Sequence, residues 1–214
     1  IYSARRIKLV LDKFPNVNRD LGSVPKIFLD KVKNKGECAT KLFNIFAKYS
    51  FILNYDYNEI NDEKICINHC NALSKELTKI VKKDVKTEYI GHGVNGNGFK
   101  ISIGNKNYFY KVFYPHNEFH DSNINYLHGG FIEPAFGLFA NKNARKNQFV
   151  KFYMGKIATK FDRDSFMLTD FLQEDYTRPK EKLKIDYLTI KDSEIYRFDN
   201  LREGKIVDFG GMII

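Results

Sequence analysis

Four glycines fall within the eight positions from Gly91 to Gly98, in the string Ile90-Gly91-His92-Gly93-Val94-Asn95-Gly96-Asn97-Gly98, and the residues after them decide what can be built there. The string contains a G-x-G-x-x-G, which opens a dinucleotide-binding turn only where a helix follows. Here Phe99-Lys100-Ile101-Ser102-Ile103 alternates with period two. Gly104 to Asn107 is a turn cluster, and Tyr108 to Phe113 is aromatic and β-branched, so the spacing predicts a hairpin. Strand, turn and strand exclude a phosphate seated on a helix end. The remaining use is a glycine-rich β-turn folded over a nucleotide, where absent side chains let backbone N–H groups approach phosphate oxygens.

Upstream the pattern is helical. Val24, Ile27, Phe28 and Val32, then Ala39, Leu42, Phe43, Ile45 and Phe46, recur at the three-to-four spacing of amphipathic helices over residues 22–50; Ile65, Ile67, Leu73, Leu77, Ile80 and Val81 do so over 63–83. Asn54 to Asp62 is polar and predicts a loop. The sheet is expected from Tyr89 onward. A helix containing Glu133 is expected over 129–140, with Pro134 tolerable near its first turn. Strands are expected at 149–157 and 165–172, a polar connector at 173–182, and a second hairpin from Ile195 to Asp199 and Lys205 to Asp208. The reading is α+β in two parts: a basic, helical region 1–86 and a sheet-bearing region 87–214.

The charge divides with the pattern. Of 35 Lys/Arg and 26 Asp/Glu, residues 1–86 hold 17 and 10. That excess favours an acidic partner, although charge runs more often serve solubility. No run of apolar residues spans a bilayer and no signal-peptide pattern stands at Ile1, so the chain is read as soluble, with any segment before Ile1 outside the text. Cys38, Cys66 and Cys70 are an odd number and do not form a secreted disulfide framework. Cys66-x-x-His69-Cys70 lacks a fourth zinc ligand, and His116-x-x-x-His120 has Glu118 at the wrong place for a zincin; core packing is the preferred reading of the first. The 13 Tyr and 19 Phe fall largely on strands, which favours packing over base stacking and disfavours a nucleic-acid partner.

A glycine loop over phosphates demands a fixed cation from the next strand. Lys111 stands alone in the apolar Tyr108-Phe109-Tyr110-Lys111-Val112-Phe113, where a buried ammonium is costly unless paired. Glu133, on the expected helix, is its best partner. Lys205-Ile206-Val207-Asp208-Phe209-Gly210 then supplies a carboxylate at a strand end, suited to holding Mg²⁺ against phosphates.

On these residues the sequence resembles the protein kinase family over roughly 87–214. The resemblance implies an antiparallel-sheet N-lobe with one helix, ATP phosphates under Gly91, Gly93, Gly96 and Gly98, a Lys111–Glu133 ion pair that orients ATP, and Mg²⁺ on Asp208. It places adenine near Leu168, Asp170 and Leu172, at the strand leading to the hinge. The compact size and basic helical leader are similar to short bacterial effector kinases delivered into host cells by type III secretion. That likeness implies a secreted effector acting on a host protein, with the leader docking a partner or supporting the small lobe.

Departures are equally specific. Gly98 stands where the family has a valine against adenine, which weakens that wall. No His-Arg-Asp with an Asn five residues on is present. Asp192 is the nearest general base, with Asp186 behind it, and Asn200 is a second metal ligand at irregular spacing. After Gly211 only Met212, Ile213 and Ile214 follow, so a minimal or missing C-lobe is expected. The expected activity is transfer of the γ-phosphoryl group of ATP to a protein Ser/Thr. The rivals are a pseudokinase acting as a protein-binding module and a small-molecule phosphotransferase of the aminoglycoside kinase type.

Overall fold

The computed structural model describes residues 21–54, 62–93, 96–114, 133, 134, 137, 149–157, 164–173, 184, 185, 188, 189 and 201–207. Three helices, α1 (Lys26–Leu29), α2 (Lys35–Ile52) and α3 (Asp62–Val81), come first, after a short strand β1 (Leu21–Gly22). The strands β2 (Val85–Gly93), β3 (Gly96–Ile103) and β4 (Lys106–Phe113) form a meander, followed by β5 (Phe152–Lys156) and β6 (Phe166–Asp170). Together they make an antiparallel six-stranded sheet in the order β1-β5-β6-β4-β3-β2. Two small hairpins, β7 (Lys184–Ile185) with β8 (Leu188–Thr189) and β9 (Leu201–Arg202) with β10 (Lys205–Ile206), lie outside it.

The expected α+β class and both long helices are present. The helix α2 begins where the sequence provides a cap: the Asn34 side-chain oxygen accepts the Glu37 N–H at 3.2 Å, satisfying one of the N–H groups left over at a helix start. Its apolar stripe, Leu42, Ile45, Phe46 and Tyr49, is buried.

One face of the sheet receives these helices. Along β3 and β4 the period-two alternation sends Phe99, Ile101, Ile103, Tyr108, Tyr110 and Val112 into the same core as the helical residues. Phe46 meets the Tyr110 ring at 5.0 Å and Phe166 at 6.0 Å, and the Tyr110 hydroxyl donates to the Phe46 carbonyl oxygen at 2.7 Å, so the buried phenol is satisfied. A single core therefore runs from Phe28 to Leu168, and the 86/87 division marks a change of secondary structure within it. The meander begins earlier than Tyr89, at Val85, because Val85 and Thr87 continue the buried parity, and Leu21–Gly22, in the region read as helical, adds an edge strand against β5.

β2 is an edge strand, and α3 covers it. The Val85 N–H donates to Thr78 Oγ1 at 3.0 Å, the Thr87 N–H to Ser74 Oγ at 2.8 Å, and the Tyr89 backbone to the Cys70 thiol. Four residues of helix rise about 6.0 Å and two of strand about 6.8 Å, so residues at i, i+4 and i+8 of α3 meet every second edge N–H. The otherwise exposed edge is thus protected.

Candidate functional site

The sheet face opposite the helices is made differently. Register places Gly91 beside Gly98, Gly98 beside Lys111, Lys111 beside Met167, and Met167 beside Gly155, in one row across five strands. Three of the five lack a side chain, so the row is a shallow trough that is open toward Gly91 and filled at its other end, where Met167 is buried and the Phe152 ring and Pro134 lie over Gly155. Gly93 and Gly96 pair in the adjoining row at the β2–β3 turn. A Cβ at Gly91 or Gly93 would meet nothing within 4 Å, so this end of the trough is open; Gly91 also has φ of 131°, a conformation that favours glycine. At Gly96 the requirement is steric, since a Cβ would lie 2.1 Å from the Val112 carbonyl oxygen.

Lys111 is held as its position in an apolar strand demands. Its Nζ lies 2.7 Å from Glu133 Oε2, with the two side chains 16% and 0% exposed, and 5.0 Å from the centre of the Phe113 ring. A charge pair this buried has lost most of its hydration, and close geometry must offset that cost. Glu133 reaches Lys111 because glycines bring its helical residues close to β5: a Cβ on Gly137 would lie 2.5 Å from the Phe152 ring, and one on Gly155 would lie 3.2 Å from the Pro134 Cβ.

Other expected site residues fare differently. Leu168 is fully buried in the core on the helical side, away from Lys111. Asp170 shares its parity and accepts the Tyr153 hydroxyl at 2.7 Å, and that ring packs on Tyr108 of the same core. The physical reason is register: Lys111 pairs with Met167, so odd-numbered residues of β6 face the trough and even-numbered ones face the helices. Met167 and Thr169, both buried, therefore lie on the Lys111 side of β6. Leu172, half-buried, lies just past β6. The β9–β10 hairpin turns through Glu203 and Gly204, with φ of 49° and 70°, and Val150 N–H donates to the Ile206 carbonyl oxygen at 2.9 Å, fixing it beside the approach to β5. Asp186, Asp192, Asn200 and Asp208 lie outside the described residues, as do His116 and His120.

Among the described residues no three His, Cys, Asp or Glu side chains gather into a metal site. Cys66 and Cys70 are buried, and burial pushes the Cys70 thiol up to about 12, which keeps it protonated and suits it to packing. The trough offers a fixed ammonium held by the Glu133 carboxylate and open space at Gly91 and Gly93, a donor set whose charge suits an anionic ligand. No helix among the described residues is long and apolar enough to cross a membrane. The chain matches no protein-family model, no curated protein and no solved structure.

Proposed function

We propose that the chain is an ATP- and Mg²⁺-dependent, protein-kinase-like phosphotransferase acting on a protein Ser/Thr. The observation that carries this reading is the buried Lys111–Glu133 pair at 2.7 Å, with Lys111 in register with Gly91 and Gly98 on the sheet face opposite α2 and α3. Its support is the convergence of glycine hairpin, third-strand lysine and helical glutamate, the relation these parts bear to ATP in kinases.

In this reading ATP supplies the γ-phosphoryl group. The backbone of the Gly91–Gly98 hairpin lines the phosphates, Lys111 fixes two of them, and Glu133 holds the ammonium at the right depth. Asp208 and Asn200 hold Mg²⁺, while Asp192 accepts the substrate hydroxyl proton. The effector role and the host-protein substrate belong to the same proposal.

The test is incubation of the full chain with γ-labelled ATP and Mg²⁺, alone and with host-type lysate. Label should pass to protein, and Lys111→Met, Asp192→Asn and Asp208→Asn should each abolish transfer. The absence of a His-Arg-Asp triplet favours a second reading, the pseudokinase: ATP would then raise the melting temperature through Lys111 with no label transferred. No response to ATP of either kind would remove both.

A further inference from the structure

Away from the trough, a groove of about 570 Å³ lies between the first half of α2 and the last turns of α3. Val32, Cys38, Ile45 and Ile80 give it an apolar lining. Its two carboxylates are already paired: Glu37 with Lys41, and Glu76 with Lys48 at 2.6 Å. Lys79 and Lys82 also line the groove, both exposed, and neither is ion-paired among the described residues. Lys82 moreover has φ of 54°, the left-handed conformation with which helices commonly end, and its N–H donates to the Thr78 carbonyl oxygen at 2.9 Å to close α3. Glycine takes that conformation without penalty, whereas a Cβ crowds the following carbonyl oxygen. Helix closure alone therefore gives no reason for a lysine here, and the groove joins apolar surface to a cation kept on backbone that favours glycine.

We propose that this groove docks an acidic, amphipathic helical segment of a partner protein, with apolar side chains seated against Val32, Ile45 and Ile80 and carboxylates meeting Lys79 and Lys82. Charge selects the sign of the partner. Lys33 and Lys35, both exposed, stand on either side of the lining residue Asn34, so the rim is basic at both ends once the paired carboxylates are set aside. Shape selects its class. From Glu37 to Ile45, α2 rises about 12 Å, or two turns, which suits a partner helix that lays its apolar stripe along the groove. A nucleic acid gains most from aromatic faces on which bases stack, and the lining holds none. A bilayer takes up apolar side chains that project from a surface, and these line a recess. The groove stands apart from the nucleotide reading and holds or fails without it.

Fluorescence anisotropy reads the docking, with the full chain and a fluorescein-labelled peptide of about sixteen residues that carries leucines along one helical face and glutamates elsewhere. This peptide should bind, and more weakly as salt is added, because the rim cations are exposed. The same peptide with lysines in place of glutamates should not bind. Polyglutamate of equal length should bind at least roughly tenfold more weakly, since it brings nothing to the apolar lining. Lys79→Glu combined with Lys82→Glu should weaken the leucine–glutamate peptide roughly tenfold or more. Lys82→Gly removes the cation and relieves the backbone, so the melting temperature should hold or rise while affinity falls roughly two- to fivefold. That pairing of effects is one that a purely structural lysine would not give. Affinity unchanged in both variants, polyglutamate binding as well as the amphipathic peptide, or no binding of that peptide by the parent would each overturn the proposal. Tighter binding of single-stranded RNA or of phosphatidylserine vesicles, lost in the same variants, would assign the surface to another class of partner and overturn it too.

Discussion

On the face covered by α2 and α3 the sheet offers Phe99, Tyr110, Phe166 and Leu168, all with no exposed surface; on the other it offers Gly91, Gly98, Gly155 and a lysine paired with a glutamate. The same strands make both, because alternate residues point to opposite sides. The first face is built for cohesion, with rings in contact and the Tyr110 hydroxyl satisfied by a helix carbonyl. The second gives up side-chain packing at its glycines, opens at Gly91 and Gly93, and buries a charge pair whose desolvation must be offset. A sheet can carry such a face only when its other side is this apolar. The helical region is in this sense the support that lets the trough exist.

Substitutions on the two faces should therefore fail in different ways. Phe46→Ala removes a ring that meets both Tyr110 and Phe166, and should cost about 3–5 kcal/mol in urea unfolding while the melting shift produced by ATP persists. An ATP shift lost along with stability would show that the faces are not separable. Lys111→Met leaves the Glu133 carboxylate buried without its cation and should cost about 3 kcal/mol or more. Adding Glu133→Gln should recover most of that, yet ATP binding should stay absent in the double variant. Recovery of binding would show that the ammonium is structural only.

Within the trough, Gly96→Ala should destabilise by about 1–3 kcal/mol, since a Cβ meets backbone at 2.1 Å, whereas Gly93→Ala should change stability by no more than about 0.5 kcal/mol. Equal effects at the two sites would contradict the described hairpin. The smallest effect is expected on the helical surface. There the Lys48 ammonium, 2.6 Å from Glu76, holds that carboxyl below the usual carboxylate range, opposed by burial and aided by the Tyr49 hydroxyl at 3.0 Å. Such a lowered group adds stability that is complete above the ordinary carboxylate range and lost as pH falls through the folded value. Glu76 is 39% exposed, so Glu76→Gln should cost under about 1 kcal/mol at pH 7 and nothing once the carboxyl is protonated. A difference that persists in acid would assign the effect to packing.

The Lys111–Glu133 contact was readable in the sequence because a lone charge in an apolar strand needs a partner, and the glycine string limited where that partner could serve. That Leu168 and Asp170 lie on the helical side of β6 is set by the pairing of Lys111 with Met167, which no local pattern reveals. The bulges at Tyr89–Gly91 in β2 and Phe152–Met154 in β5, which shift the register of those strands, are also unmarked in the sequence. Cys70, Ser74 and Thr78 were likewise unreadable as edge covers. Their four-residue spacing has meaning only once α3 is laid along β2, and Cys70 instead drew attention as part of a metal-like string.

The central claim is that the trough holds the phosphates of ATP through Lys111. Its most direct measurement is the melting temperature of the full chain with and without Mg²⁺ and ATP, beside the Lys111→Met/Glu133→Gln variant. Ligand at a hundred times Kd contributes about 2.7 kcal/mol, which for a chain of this size is a rise of roughly 5–10 °C. The account predicts that rise in the parent and none in the variant; equal shifts in both, or no shift in the parent, would contradict it.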